Sequence, residues 1–509
     1  MRTSNSIKNS LISFFSYLFI SIITIILQRI FINIFNIEYL GLNTLFKNIF
    51  TMLSLFEFGM SSVIIYYFYK PIFNGDDNKL NELTFFTKKA YKYIMFIILC
   101  VGLLILPFLN IIVKSDIDTN IYIVYLLFLI STLFTYFISY KRCIIIAYQK
   151  NYILNIVHTI CLSLITLFQI LIILLFKNYY LYLICNIIGV LIENIIISIY
   201  VNNKYKFIDK NKSNKLDKDL KQDIFSKMKA YFLDKFATLV IYNTDPIVLS
   251  IFFDLKVVGL YSNYIFILNG VDAIFNGIIS SLTPSIGNLL VENSPKKNYE
   301  VFKKIRLLNL CITIFTSSMI LCLSQDFITI WVGKEYLFSK FILIVLTFLF
   351  YKDFMKYSFK VFKHGAGIWV EDKFVPIIVA ISNIILSIIL LKIFGVVGVF
   401  FGTILSSIPQ WFYDFPKFIY VKLFNKKYID YYKEMIKDII ISLIIIVINY
   451  FIVELISLDN LIITLLLKAV ITTILTIILL FIIFYKNNDF KYFINLIKNK
   501  LGGRKVWKY

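Results

Sequence analysis

At 509 residues, 59% hydrophobic and 18% aromatic, this chain is far more apolar than a soluble domain, which excludes an ordinary globular core. Its formal charge of +22 suggests nucleic acid at first. The basic residues, however, fall in alternate segments between long apolar runs, the pattern of a polytopic membrane protein, and nucleic acid is excluded as a partner.

The small catalogue of chemistry is empty. The two histidines, His158 and His364, have no partner at metal-ligand spacing, and the six cysteines all sit within or beside apolar segments. No Walker motif and no nucleophile elbow occur, and Gly365-Ala-Gly367 lacks the context of a phosphate loop. The expectation is no metal, no cofactor beyond a coupling ion, and no enzyme.

Apolar runs long enough to cross a bilayer predict about 14 helical spans. They cover 9–35, 40–68, 91–113, 120–140, 152–176, 179–201, 230–253, 258–291, 305–323, 337–360, 374–394, 397–416, 437–456 and 460–485. The first run lacks an Ala-x-Ala site and reads as a retained span. With the N-terminus in the cytoplasm, the inward loops hold about 42 of the 52 Lys and Arg residues, so both termini are expected inside. Outward loops are short, which leaves no room for an external catalytic domain.

Spans 1 and 2 form an apolar hairpin with a turn expected at Asn36 to Glu38. Arg29 lies about nine residues before that turn and Lys47 about nine after it, so both are expected roughly 13 Å below it. A charge at that depth is costly and usually faces a cavity or a partner. One reading is a phosphate-binding patch, with Arg29 offering paired donors and Lys47 a point charge. The other is that both snorkel outward or pair with carboxylates. Glu57, deeper on span 2, either locks spans together, shapes the cavity or takes up a coupling proton.

The basic segment 202–229 is the sharpest change in composition, and reads as a solvated linker on anionic lipid. Beyond it, span 7 carries Tyr242-Asn-Thr-Asp245-Pro246. Pro246 should kink the helix and free the Tyr242 carbonyl, leaving Asp245 and Asn243 either as an ion or proton site or as a paired structural kink.

Span 8 is polar along one side. Asn269, Asp272, Asn276, Ser280 and Thr283 recur at steps of three and four, then Pro284 adds a second kink or gate. Such a stripe lines a helix interface or water, and with Asp272 in it water is the favoured reading. Glu193, Asp414 and Lys468 are single signals read as structural. Gly41, Gly259 and Gly398 recur at odd-to-even hairpins, where glycine permits tight turns and close packing.

Several of these stretches match a known pattern. Arg29 followed by Glu38-Tyr-Leu-Gly-Leu-Asn43, then Leu53-Ser-Leu-Phe-Glu57-Phe-Gly59 and Tyr69-Lys-Pro71, resembles the Wzx-type polysaccharide flippases of the MOP exporter superfamily. So do Asn243-Thr-Asp245 with Val258-Gly-Leu-Tyr-Ser-Asn-Tyr264, and Gly395-Val-Val-Gly-Val-Phe-Phe-Gly402. The chain departs from that pattern at Pro246 and at Phe253-Asp254.

The resemblance implies an all-α fold of two six-helix lobes around a central cavity, plus two C-terminal helices. The lobes would be 1–201 and 230–421, joined by the cytoplasmic linker 202–229, with 422–509 holding the extra helices and a basic tail. It implies translocation of undecaprenyl-pyrophosphate-linked oligosaccharide to the outer leaflet of the bacterial cytoplasmic membrane by alternating access. In that scheme Arg29, Lys47, Asn269, Asp272 and Asn276 contact substrate. Glu57, Asp245 or Asp272 carries H⁺ or Na⁺, and Pro246 and Pro284 act as kinks. Expected partners are the lipid-linked oligosaccharide, membrane lipids, and glycan polymerase and chain-length machinery. The alternatives are a multidrug cation antiporter of the same superfamily, a membrane glycan polymerase or ligase, and a lipid scaffold without transport.

Overall fold

The computed structural model describes residues 2–114, 117–205, 207, 216–280, 282–292, 294–368 and 371–501. Among them every regular element is helical. The chain divides into two compact units, Met1–Ser262 and Asn263–Tyr509, a division that falls later in the sequence than the basic segment 202–229.

The first unit contains α1 (Arg2–Phe35), α2 (Ile37–Leu53), α3 (Met60–Asn74), α4 (Asp77–Ile105), the short α5 (Leu109–Ile112), α6 (Ile121–Phe137), α7 (Ser139–Ala147), α8 (Asn151–Phe176), α9 (Tyr179–Lys204) and α10 (Lys218–Phe252). It also takes the start of α11 (Leu255–Ser280). The second unit continues with α12 (Thr283–Glu292), α13 (Pro295–Trp331), α14 (Lys340–Gly365), α15 (Phe374–Phe394), α16 (Val396–Ser406), a π-helical stretch Gln410–Leu423, α17 (Tyr428–Glu454), α18 (Leu461–Phe484) and α19 (Asn488–Leu501).

Among the described residues, ten helices are long and apolar enough to cross a membrane, or twelve if each of two bent pairs is one span. Expected spans 7 and 10 fall on α10 and α14, which carry charges within their apolar stretches: Lys235 and Asp245 in α10, Lys352, Asp353 and Lys356 in α14. The chain is a multi-pass, all-helical membrane protein.

Asparagine starts several of these helices. Asn120, Asn178 and Asn460 each accept backbone N–H bonds from the first turn of α6, α9 and α18. These caps satisfy donors that the helix itself leaves orphaned.

The first hairpin turns on Asn36 alone, at φ 79°, a positive φ that is found at asparagine more often than at most other non-glycine residues. The turn is therefore tighter than expected. Arg29 lies about seven residues before it and Lys47 about eleven after, so their depths below the turn are roughly 10 and 16 Å rather than equal.

Gly41 of α2 and Gly259 of α11 are what let these two helices touch backbone to backbone. A Cβ on Gly41 would stand 2.0 Å from the Leu255 carbonyl oxygen, and one on Gly259 would stand 2.4 Å from that of Ile37. Two of the three recurring glycines thus meet each other. The third, Gly398, packs with Gly402 against α15, where a Cβ would stand 2.1 Å from the Leu390 carbonyl oxygen.

The breaks that bend spans lie where proline does not. α2 leads into a 3₁₀ turn, Ser54–Glu57, and then Phe58 and Gly59 both adopt positive φ, 50° and 70°. The chain bends by 45° there, and by 44° between α6 and α7. α10, by contrast, runs unbroken as helix through Pro246. α11 ends at Ser280 and α12 begins at Thr283, with Pro284 in its first turn, where a missing N–H costs no helical bond. The side chains of Ser280, Ser281 and Pro284 lie outside the described residues.

Candidate substrate-binding face and its carboxylates

On α1, one stripe of residues is exposed from the start of the span to its end. It runs Phe15, Phe19, Ile22, Ile26, then Arg29 and Asn33, the spacing of a single helical face. Its first four positions are apolar and its last two polar. The opposite side buries Gln28, Phe31, Ile32 and Phe35, with Phe31 and Phe35 packed on Tyr179 of α9.

α2 is divided in the same way. Leu42, Leu45, Phe46, Ile49, Phe50 and Leu53 are buried, while Thr44, Lys47, Asn48 and Thr51 form a ridge that is exposed or half-exposed. The ridge's smaller side chains turn back onto their own helix. Thr51 donates to the Lys47 carbonyl at 2.7 Å and Asn48 to that of Thr44 at 2.7 Å.

Neither Arg29 nor Lys47 has an ion pair or side-chain hydrogen bond among the described residues, and both side chains are exposed. No described carboxylate pairs with either of them. Lys468, the other cation singled out within a span, does have a partner, so these two differ in kind. Each costs about 3 kcal/mol at mid-bilayer depth on insertion scales.

Glu57 is the reverse case. Its Oε2 lies 2.9 Å from Lys235 Nζ of α10, and its Oε1 accepts from the Tyr91 hydroxyl at 2.8 Å and the Ser61 N–H at 3.3 Å. The side chain is only 12% exposed. Partners from three places in the first unit fix the carboxylate at the point where the span breaks. Lys235 was not singled out from the sequence; a lysine within an apolar run was a readable signal there, but its partner was not.

In α10, Asp245 is 5% exposed and engaged with its surroundings. Its neighbours Asn243 and Thr244 donate back to Leu239 and Val240 of the same helix at 2.9 and 2.8 Å. No group of three or more potential metal ligands occurs among the described residues.

Asp272 lies in the second unit, apart in sequence and unit from Arg29 and Lys47. Its Oδ1 accepts from the Tyr357 hydroxyl at 2.6 Å, and Asn276 hydrogen-bonds to it from one turn further along α11. Asn269 is exposed on the same stripe and is also engaged. The stripe thus faces α14 at Asp272.

α14 carries what sequence reading did not foresee. Lys352 and Lys356 share Asp353 at 3.0 and 2.6 Å, and Lys363 bridges Asp414 at 2.6 Å and Asp372. Lys352 and Lys356 fall within the span expected over 337–360, and Lys363 lies just past its expected end. The helix continues to Gly365 because carboxylates neutralise them in place. The single signals resolve the same way: Glu193 pairs with Arg142 and His158, and Lys468 with Asp326 at 2.7 Å.

No family model matches this sequence, and no curated protein matches it significantly. Solved structures do. The lipid II flippase MurJ in an inward closed conformation superposes with a TM-score of 0.67 at 18% identity, over 94% of this chain and 99% of that one. An inward-facing multidrug resistance MATE family transporter of the MOP superfamily gives 0.56 at 12% identity, over 77% and 90%. A point mutant of the Vibrio cholerae MATE transporter VcmN gives 0.52 at 12% identity, over 80% and 95%. The chain has the fold these transporters share.

Proposed function

We propose that the chain is a flippase that moves an undecaprenyl-pyrophosphate-linked oligosaccharide from the inner to the outer leaflet of the bacterial cytoplasmic membrane. The observation that carries this reading is the pair of cations, Arg29 and Lys47, on exposed faces of adjacent helices, with no ionic partner among the described residues. A pyrophosphate supplies the missing counter-charge, and charge-assisted bonds to phosphate are among the stronger ones available. The apolar part of the α1 stripe suits a prenyl chain leaving the same face. The fold likeness to a lipid II flippase supports the reading, since that neighbour's named cargo is also lipid-linked.

In this scheme Asn269, Asp272 and Asn276 contact the glycan and both termini are cytoplasmic. Coupling to H⁺ or Na⁺ would fall to Asp245 or Asp272 rather than Glu57, whose charge is already matched by Lys235. Glycan polymerase and chain-length machinery would receive the product.

The MATE likeness favours a second reading, export of cationic drugs. Two cations on the candidate face, unpaired among the described residues, would repel such cargo, which places this reading second.

The test is reconstitution of the full chain in proteoliposomes carrying undecaprenyl-pyrophosphate oligosaccharide, with outward glycan scored by an added lectin. Arg29→Ala should abolish translocation while the protein level holds. Normal translocation by that variant would remove Arg29 from the mechanism.

A further inference from the structure

The exposed side of α4 changes character once along its length. Phe85, Lys89, Lys92 and Phe96 fall at the spacing of one helical face, with Lys88 and Tyr93 at its edges. The opposite face buries Thr84, Thr87, Tyr91, Ile94 and Ile98 within the first unit. Beyond Tyr93 the exposed positions are Phe96, Ile97, Cys100, Leu103 and Leu104, with no charge among them. That uncharged stretch rises about 16 Å, and it belongs to a helix long and apolar enough to cross a membrane. The three lysines stand together at its foot.

All three ammonium groups are accessible. Lys88, Lys89 and Lys92 are exposed, and none has an ion pair or side-chain hydrogen bond among the described residues. The carboxylates described in this unit are engaged elsewhere. Lys79 holds Glu82 and Asp217, Lys235 holds Glu57, Lys227 holds Asp223, and Arg142 holds Glu193. Asp76 and Asp77 stand at the start of α4, about 16 Å or more from Lys88 along the helix, which exceeds a Debye length of about 8 Å.

A second element flanks the lysines. Lys88 Nζ lies 5.9 Å from the centre of the Tyr140 ring, in the first turn of α7. Phe137, at the end of α6, is exposed. Lys141 Nζ lies at the same distance from the Tyr140 ring, where it is bonded to Ser198 and Asn202, so it adds a fourth positive charge.

We infer that this patch docks one anionic phospholipid, with its phosphate over Lys88, Lys89 and Lys92 and its acyl chains along the uncharged side of α4. Lysine clusters beside a membrane span attract anionic lipid. A zwitterionic head brings an amine that the ammonium groups repel. Soluble phosphate or nucleic acid would meet the lysines but has no use for the uncharged 16 Å above them, which makes a lipid the occupant.

The experiment is native mass spectrometry of the purified full chain titrated with phosphatidylglycerol or phosphatidylethanolamine at equal concentration. The first phosphatidylglycerol should bind more tightly than phosphatidylethanolamine. The triple variant Lys88→Gln, Lys89→Gln and Lys92→Gln should weaken it about a hundredfold, or about fivefold for each lysine removed. Lys218→Gln, Lys221→Gln and Lys229→Gln together remove the same charge from α10 and should leave that adduct unchanged. Equal binding of the two lipids by the parent overturns the inference. So does retention of the first phosphatidylglycerol by an α4 triple variant that melts like the parent, an equal loss in the α10 variant, or displacement of the lipid by equimolar inorganic phosphate. If the α4 triple variant does not fold, Lys92→Gln alone decides, by losing about fivefold or by losing nothing. None of these outcomes depends on whether Arg29 handles a pyrophosphate.

Discussion

Lys235 Nζ sits 2.9 Å from Glu57 Oε2, joining the seventh expected span to the break in the second. The bend at Phe58 and Gly59 brings the carboxylate to the lysine, and the ion pair in turn holds the bend. Removing one partner of a buried pair costs about 3–5 kcal/mol because the other charge is stranded, while removing both can be nearly neutral. Glu57→Ala is therefore expected to lower thermal stability in detergent sharply, and Glu57→Ala with Lys235→Met to recover most of the loss. If the double variant were as unstable as the single, the pair would not be what holds the bend.

The contact between Gly41 and Gly259 leads to a second expectation. Either glycine changed to alanine places a Cβ against a backbone carbonyl, and backbone cannot rotate away as a side chain can. The helices must part, at a cost of about 1–3 kcal/mol for overpacking. Melting curves of Gly41→Ala, Gly259→Ala and the double variant should show that the second substitution adds little to the first, since one separation of the helices relieves both.

Lys363 stands between Asp372 and Asp414, all three buried. Lys363→Met strands two carboxylates and should destabilise by about 3–5 kcal/mol. Adding Asp414→Asn removes one stranded charge and should restore part of the stability. Urea or thermal unfolding of the two variants checks the order.

For the candidate face, Arg29→Lys separates charge from geometry. Lysine keeps the cation but loses the planar pair of donors that matches a phosphate. Translocation by Arg29→Lys should fall between the parent and Arg29→Ala. Lys47→Arg should be tolerated, because a point charge suffices there. Equal activity of Arg29→Lys and Arg29→Ala would show that the donor fork, not the charge, is what the cargo reads.

The helical, membrane-crossing character of the chain was readable from residue order, because a helix in hydrocarbon must satisfy its own backbone bonds and needs a contiguous apolar run to do so. That is a local property. The glycine at each of three hairpins was likewise visible, although nothing in one dimension said that Gly41 and Gly259 press on each other. The bend falls at Phe58 and Gly59, which carry no breaker as plain as Pro246, whereas α10 carries Pro246 without a break.

Charge was the part that order alone could not resolve. Arg29, Glu57, Asp272 and Lys468 look alike in a hydropathy profile, each a costly side chain in an apolar run. Only packing separates them: Lys235 closes on Glu57 from 178 residues away, Tyr357 on Asp272 from 85 and Asp326 on Lys468 from 142, while nothing described closes on Arg29. Coulomb and hydrogen-bond energies depend on distance in space. A span's neighbours in the bundle are chosen by the whole fold, so which charges are spent on holding it together, and which are left for a ligand, is decided there.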